Sequence, residues 1–128
     1  MNLNLLISIK PKYVKEIING IKKYEFRKRI FKKNVDKIYI YSTAPDKRIV
    51  GYFEYKGYLK DTPKCIWEKT VQFSGINEEE YFKYFDKKEN AYAIVIDQLY
   101  LFEIPINPFE KIKDFVAPQS YKYVDGDI

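Results

Sequence analysis

One acidic and two basic side chains are spaced along a short segment so that they can share a site. Glu25 and Arg27 stand two residues apart, and residues with this spacing on a β-strand point to the same face. An arginine fork can then hold the carboxylate while both groups present polar edges to a cavity. Lys22, just before this strand, can lean over the same space. Such a site suits a nucleobase, whose edge offers donors and acceptors. The structural alternative is an ion-pair ladder whose members satisfy one another.

The same region carries much of the positive charge of the chain. Between Ile21 and Lys37 there are eight basic residues and two acidic ones, with Tyr24 and Phe31 interleaved. Such a strip is typical of a track for the phosphates of RNA or DNA, because Lys and Arg release counterions from a polyanion. A solvated sheet face is the alternative, since charge clusters also keep a domain soluble.

Several classes of chemistry are excluded by composition. The chain has no histidine and a single cysteine, Cys65. Ser-His-Asp and Cys-His catalysis, histidine metal sites, cysteine zinc clusters and internal disulfides are therefore ruled out. We expect no metal and no cofactor, and any catalysis must use Lys, Glu, Asp, Tyr or Ser. The formal net charge of +5 favours a polyanionic partner in a general way.

The elements that position the charged segment are predicted to be one helix and several short strands. Leu3–Ile9 reads as a buried strand, and the next helix begins at Pro11 and stops at Asn19-Gly20. An apolar stripe is predicted on this helix at Tyr13, Val14, Ile17, Ile18 and Ile21. Alternation then predicts a strand over residues 23–29, which forms a meander with strands at 35–42 and 49–59. Later strands are predicted at 91–101 and 120–123, and helices at 63–71, 77–85 and 109–115. Bulges or bends are expected at Gly51 and Gly57.

Length and composition predict one folded domain over residues 1–128. The chain is 46% hydrophobic and 18% aromatic, which is typical of a folded protein with a core. The apolar run at the N-terminus is too short for a signal peptide or a membrane span. We therefore expect a cytoplasmic protein with no membrane partner, present as a monomer or a weak dimer.

The spacing Gly20-x-Lys22-x-x-Glu25-x-Arg27, between a helix and a strand, resembles the signature of the ASCH domains, relatives of the PUA RNA-binding fold. Further segments look like parts of small archaeal and bacterial PUA-like proteins, so that the resemblance covers essentially the whole chain. These segments are Ser8–Tyr13, Ile40–Pro45, Ile49–Glu54 and Ala117–Tyr121. The resemblance implies an α+β fold, a small mixed PUA-like β-barrel of about five to six strands with two to four flanking helices.

The resemblance also places a ligand site at the mouth of the barrel. Lys10, Lys22 and Arg27 would contact phosphates or base acceptors, and Glu25 would accept from an exocyclic amine. Trp67 is suited either to stacking on a base or to packing in the core. The residues expected to bind RNA or a modified nucleobase are Ser8, Lys10, Tyr13, Lys22, Glu25, Arg27, Ser42, Trp67, Gln119 and Tyr121.

An enzymatic alternative follows from the same resemblance. Some bacterial ASCH proteins similar to this chain remove an acyl group from a modified cytidine with a Lys, a Thr and a Glu. Lys22 matches the lysine, but Glu25 stands at the threonine position, and no acid is found near Ser74-Gly75, where the carboxylate is expected. A Lys22/Glu25 pair can still act as base and acid, on a modified nucleoside or on RNA, if burial moves both pKa values towards neutrality. The main hypothesis is non-catalytic binding of RNA or a nucleobase. A third is an interaction domain that touches no nucleic acid.

Overall fold

The computed structural model describes residues 2–128, in which eight strands form two sheets flanked by four helices. In chain order the elements are β1 (Leu3–Ile9), α1 (Pro11–Ile18), β2 (Tyr24–Arg27), β3 (Lys37–Ser42), β4 (Arg48–Glu54), β5 (Tyr58–Asp61), α2 (Pro63–Thr70), α3 (Glu78–Tyr84), β6 (Ala91–Val95), β7 (Leu99–Ile106), α4 (Pro108–Lys111) and β8 (Tyr121–Asp125). A turn of 3-10 helix, Val71–Phe73, follows α2.

The two sheets have different strand orders. The larger runs β7-β4-β3-β1-β8 and the smaller runs β2-β6-β5. β1 and β3 are parallel, and the other pairs are antiparallel. The predicted α+β class is confirmed. The sheets are not closed into a barrel, however, and the described residues form eight strands rather than the predicted five to six.

Two of the predicted strands each change sheet part-way along. The strand predicted at 49–59 is interrupted at Gly57, whose φ of +103° lies in the left-handed region that favours glycine. β4 therefore joins the large sheet and β5 the small one. The strand predicted at 91–101 likewise divides into β6 and β7. Of the predicted meander, the antiparallel pair of β3 and β4 is present, but β2 pairs with β6 and not with β3. The bulge expected at Gly51 is present as a register shift between β4 and β7.

All four predicted helices are present, although the last is shorter than predicted. Thr62 Oγ1 caps α2 by accepting from Cys65 N at 3.2 Å, and Asn77 Oδ1 caps α3 by accepting from Glu80 N at 2.7 Å. On the predicted stripe of α1, Val14 and Ile17 are buried whereas Ile18 and Ile21 are exposed. The helix predicted at 109–115 is the single turn α4. No helix within residues 2–128 is long and apolar enough to cross a membrane.

The small sheet lies between two parts of the core. On one face, Phe26 and Ala93 pack with Tyr81 and other side chains of α2 and α3. On the other face, Ile94 joins the core of β1, β3 and α1. Since strand side chains alternate, β2 sends Phe26 towards the helices and Glu25 and Arg27 towards the large sheet. The fold thus carries two charged side chains into the junction between the sheets.

Candidate functional site

A cavity of about 520 Å³ opens where the end of β1 and the start of α1 meet β2 and α3. Its volume lies within the range of small-ligand pockets, roughly 300–1,000 Å³. The lining combines apolar walls with acidic and basic groups: Ser8, Ile9, Lys10, Tyr13, Lys22, Glu25, Phe26, Arg27, Thr43, Ile76, Glu80, Lys83, Tyr84 and Gln119.

Lys22 is the buried cation of this cavity. Its side chain is held at the corner between α1 and β2, where Nζ donates to Ser74 O at 2.8 Å and lies 4.5 Å from the centroid of the Phe26 ring. Only 2% of the residue is exposed. Burial lowers the pKa of Lys22 to about 8, although the Glu25 carboxylate opposes this shift. Near that pH the amine is present in both charged and neutral forms, so it can donate hydrogen bonds and can also accept a proton.

The turn Ser74–Gly75 supplies the floor beneath Lys22. Gly75 has a φ of +61°, and a Cβ at this position would overlap Lys22 Cβ and Cγ and would lie 3.1 Å from Lys22 Cα. Ser74 Oγ donates to Ile76 O at 3.1 Å, which fixes the turn from the far side. Glycine is therefore required for the lysine to reach the Ser74 carbonyl.

Glu25 and Arg27 form the ion pair that their spacing predicts. Arg27 Nη2 and Nε donate to the same carboxylate oxygen, Glu25 Oε2, at 2.7 and 3.1 Å. Arg27 is held in addition by Ser8 O at 2.8 Å and by Ser120 Oγ at 3.0 Å. Glu25 Oε1 accepts no hydrogen bond from residues 2–128, and no fully enclosed side-chain oxygen or nitrogen of these residues lacks a partner. Oε1 is therefore not fully enclosed, and because Glu25 lines the cavity, this oxygen is available to a ligand.

Glu80 is an acid of the cavity that the motif does not indicate. Its Oε2 accepts from Tyr13 OH at 2.7 Å and from Lys12 Nζ at 2.8 Å, so that α3 is tied to α1 at the cavity wall. The bonds from Lys12 and Tyr13 lower the pKa of Glu80, whereas burial and the nearby carboxylate raise the pKa of Tyr13. No acid stands near Ser74 in the sequence, but Glu80 enters the cavity from the first turn of α3. In the sequence, the spacing Asn77-x-x-Glu80 indicates the start of a helix, and it places Glu80 in the first turn of that helix.

Comparison with known proteins is consistent with the motif and the fold. The ASCH domain profile matches residues 7–99, more than half of the chain. The chain belongs to the ASCH domain family.

This ASCH domain is similar to proteins of two bacteria. The "ASCH domain-containing ribonuclease" of Zymomonas mobilis is 28% identical over 122 residues, which cover 93% of this chain and 82% of that protein. The crystal structure of ASCH from Zymomonas mobilis has a TM-score of 0.86 and 27% identity, with 95% of this chain and 87% of that chain covered. Large ribosomal subunit protein uL22 of Ureaplasma parvum is 28% identical over 123 residues, which cover 94% of this chain but only 39% of that protein.

Seven of the ten candidate binding residues lie together in the cavity of this ASCH domain: Ser8, Lys10, Tyr13, Lys22, Glu25, Arg27 and Gln119. The other three do not line it. Ser42 is buried and donates from Oγ to Asp46 Oδ2 at 2.8 Å. Trp67 packs against Tyr81, with 4.8 Å between the ring centroids. Tyr121 packs against Phe31 at 5.9 Å between ring centroids.

The cavity also contains polar residues that the motif did not indicate, namely Thr43, Lys83 and Tyr84 in addition to Glu80. Thr43 follows the end of β3, and the other two lie on α3, so that only the tertiary fold brings them to the site. The ion-pair alternative is correct for Glu25 and Arg27, but the pair lies in the wall of an open cavity. Among residues 2–128, no three Cys, Asp or Glu side chains cluster as metal ligands.

Proposed function

We propose that this ASCH domain binds single-stranded RNA and takes one nucleobase into the cavity next to Lys22, Glu25 and Arg27. The observation that carries the proposal is Glu25 Oε1, which has no hydrogen-bond partner in residues 2–128, beside a buried lysine in the cavity. The Zymomonas mobilis relative named a ribonuclease supports RNA as the polymer.

The recognition step follows from the donors and acceptors that remain. Glu25 Oε1 accepts from an exocyclic amine of the base. Lys22 Nζ uses one of its three N–H groups on Ser74 O, so two others can donate to acceptors on the base. Phe26 and Tyr13, which already lie near Lys22 Nζ, provide apolar and aromatic wall for the ring.

The phosphates are expected at the rim of the cavity. Lys10 and Lys83 line it with exposed side chains, and both carry charge that is not engaged in an ion pair within residues 2–128. Such contacts hold the backbone in place and make affinity depend on salt. Loss of a phosphate contact at the rim should therefore reduce the salt dependence of the affinity, whereas loss of a base contact in the cavity should not.

The test is the affinity of a fluorescently labelled single-stranded RNA, measured by anisotropy at low salt. We expect Lys22→Met to weaken binding by about tenfold or more, because a hydrogen bond to a charged group is lost. Lys111→Met removes the same charge from the exposed helix α4 and is expected to bind as the wild type does. Equal affinity of Lys22→Met and wild type would show that the cavity is not the site. Absence of salt-dependent binding to any RNA would favour the interaction-domain alternative.

A second candidate function is cleavage of RNA, and the lowered pKa of Lys22 favours it. The neutral amine takes the proton of a ribose 2′-hydroxyl, and the 2′-oxygen attacks the adjacent phosphorus. The bond from phosphorus to the 5′-oxygen breaks, and this oxygen leaves with a proton from the Lys22 ammonium. The products are a 2′,3′-cyclic phosphate and a 5′-hydroxyl end.

Cleavage is distinguished from binding by the products. The cleavage hypothesis predicts a rate that rises with pH towards about 8 and then levels as Lys22 is deprotonated. It also predicts no cleavage of RNA with 2′-O-methyl groups and none by Lys22→Met. The same incubation with an N4-acylcytidine tests the amidohydrolase alternative. Binding without any product leaves base recognition as the function.

A further inference from the structure

The face of the small sheet that carries the ion pair continues beyond the cavity. In the pairing register, Arg27 of β2 stands opposite Tyr92 of β6, and Tyr92 stands opposite Lys60 of β5. Residues that are directly opposite on neighbouring strands share a face, so these three side chains form one row. Neighbouring strands are about 4.8 Å apart, so the row extends roughly 10 Å from the cavity wall.

A fourth residue, Tyr58, extends the row on β5. It lies two positions before Lys60 and therefore on the same face. The Tyr58 and Tyr92 rings are 5.7 Å apart, and Lys60 Nζ lies 5.8 Å from the centroid of Tyr92. Tyr58 is 42% exposed and Lys60 is exposed, whereas Tyr92 is half-buried. Two aromatic rings and a cation are thus presented together at the surface.

The opposite face of these strands is already occupied. Leu59, Ala91 and Ala93 pack on α2 and α3, and the acidic Asp61 also points to that side, where it accepts from Thr62 N. Side-chain alternation thus separates this acid from the row. On the other face, Ile94 is buried in the core and Glu25 is paired with Arg27, whereas Tyr58, Lys60 and Tyr92 lie at the exposed end of β5 and β6.

We propose that this row, Arg27, Tyr92, Lys60 and Tyr58, is a second binding surface for the single-stranded RNA whose base enters the cavity. The inference rests on the proposed function and adds a path for the neighbouring nucleotides. Arg27 is shared between the cavity and the row, which makes the two surfaces continuous. The positive charge of Lys60 matches a phosphate, and tyrosine rings stack on bases of any sequence.

The experiment compares two ligands, a dinucleotide and a single-stranded RNA of about ten nucleotides. A double variant, Tyr58→Ala with Lys60→Met, changes exposed side chains and is expected to fold. We expect it to bind the longer RNA about tenfold more weakly, with a salt slope that is smaller by about 0.7, and to bind the dinucleotide as the wild type does. Lys111→Met is the control that keeps wild-type affinity for both ligands.

The outcomes separate the two proposals. If Lys22→Met lowers the affinity for both ligands and the double variant lowers neither affinity, the cavity is a binding site and the row is not. If the double variant lowers the affinity for the longer RNA but Lys22→Met changes neither affinity, the cavity proposal fails and the row is still a nucleic-acid surface. If the wild type binds neither ligand, both proposals are wrong.

Crosslinking provides an independent check. Irradiation of the complex with RNA that contains 4-thiouridine is expected to attach nucleotide to peptides from β5 or β6. If the crosslinks form only on other strands, the proposal that the row binds RNA is wrong.

Discussion

Two lysines of this ASCH domain lie over tyrosine rings and differ in almost everything else. Lys22 Nζ is 5.2 Å from the Tyr13 ring centroid inside the cavity, and Lys37 Nζ is 4.8 Å from the Tyr52 centroid on the outer face of the large sheet. The aromatic neighbour is therefore similar, and the surroundings decide the chemistry.

The surroundings of the two amines shift their pKa values in opposite directions. Lys22 donates to a neutral carbonyl, and burial lowers its pKa to about 8. Lys37 donates to the Asp127 carboxylate at 3.1 Å, and this bond raises the pKa of Lys37 and lowers that of Asp127. A lysine that can exchange a proton near neutral pH thus requires burial without an acid at contact distance. Lys37 and Asp127, the outer pair, form an ordinary surface ion pair.

The largest expected effect is on the buried charges. Arg27→Met removes the hydrogen-bond donors of Glu25, whose side chain is 9% exposed. The free energy of unfolding should fall by about 3–5 kcal/mol, because an uncompensated charge is left in the interior. Urea denaturation measures the loss. The double variant Glu25→Leu with Arg27→Met serves as control and should recover a large part of it. Equal losses in both variants would mean that packing, and not charge, explains the effect.

The next effect is the dependence of stability on pH that comes from Lys22. Its folded-state pKa of about 8 lies below the ordinary 10.5, so the unfolded chain binds more protons between these values and stability rises with pH across this window. The gain should reach about 3 kcal/mol at its upper end. Wild type minus Lys22→Met, measured by denaturation at each pH, cancels the titration of the tyrosines. A flat difference would mean that Lys22 keeps an ordinary pKa.

The smallest effect is expected at the outer pair. Lys37→Met should change the free energy of unfolding very little, and raising the salt concentration should remove the difference, because exposed ion pairs are weak and screened. Thermal denaturation at low and high salt measures it. A loss as large as that of Arg27→Met would contradict the distinction between the two regions.

The parts of the fold that could be predicted are those encoded locally. The caps at Thr62 and Asn77 bind backbone groups within three residues, so their spacing is visible in the sequence. The alternation of Glu25, Phe26 and Arg27 likewise specifies two faces of one strand. These local signals sufficed for the motif and for the ion pair.

The rest depends on which distant segments meet. Asp97 and Gln98 are the only polar residues between β6 and β7, and they do not show that the two halves pair in different sheets, because both halves have strand composition and differ only in their partners. Glu80 reaches Tyr13 across 67 positions of sequence. The sequence therefore indicates that Glu80 lies in the first turn of a helix, but not that this helix places it in the cavity. The position of Trp67 beside Tyr81 is set in the same way, by the packing of α2 on α3.

The close approach of Gly75 to Lys22 has a consequence for relatives of this chain. Because any side chain at position 75 would overlap the lysine stem, the two positions should vary together during evolution. A homologue with a larger residue at the position of Gly75 is expected to have lost the lysine as well, or to have rebuilt the turn. The pair thus offers a two-letter marker for sorting ASCH sequences by whether they retain this buried amine.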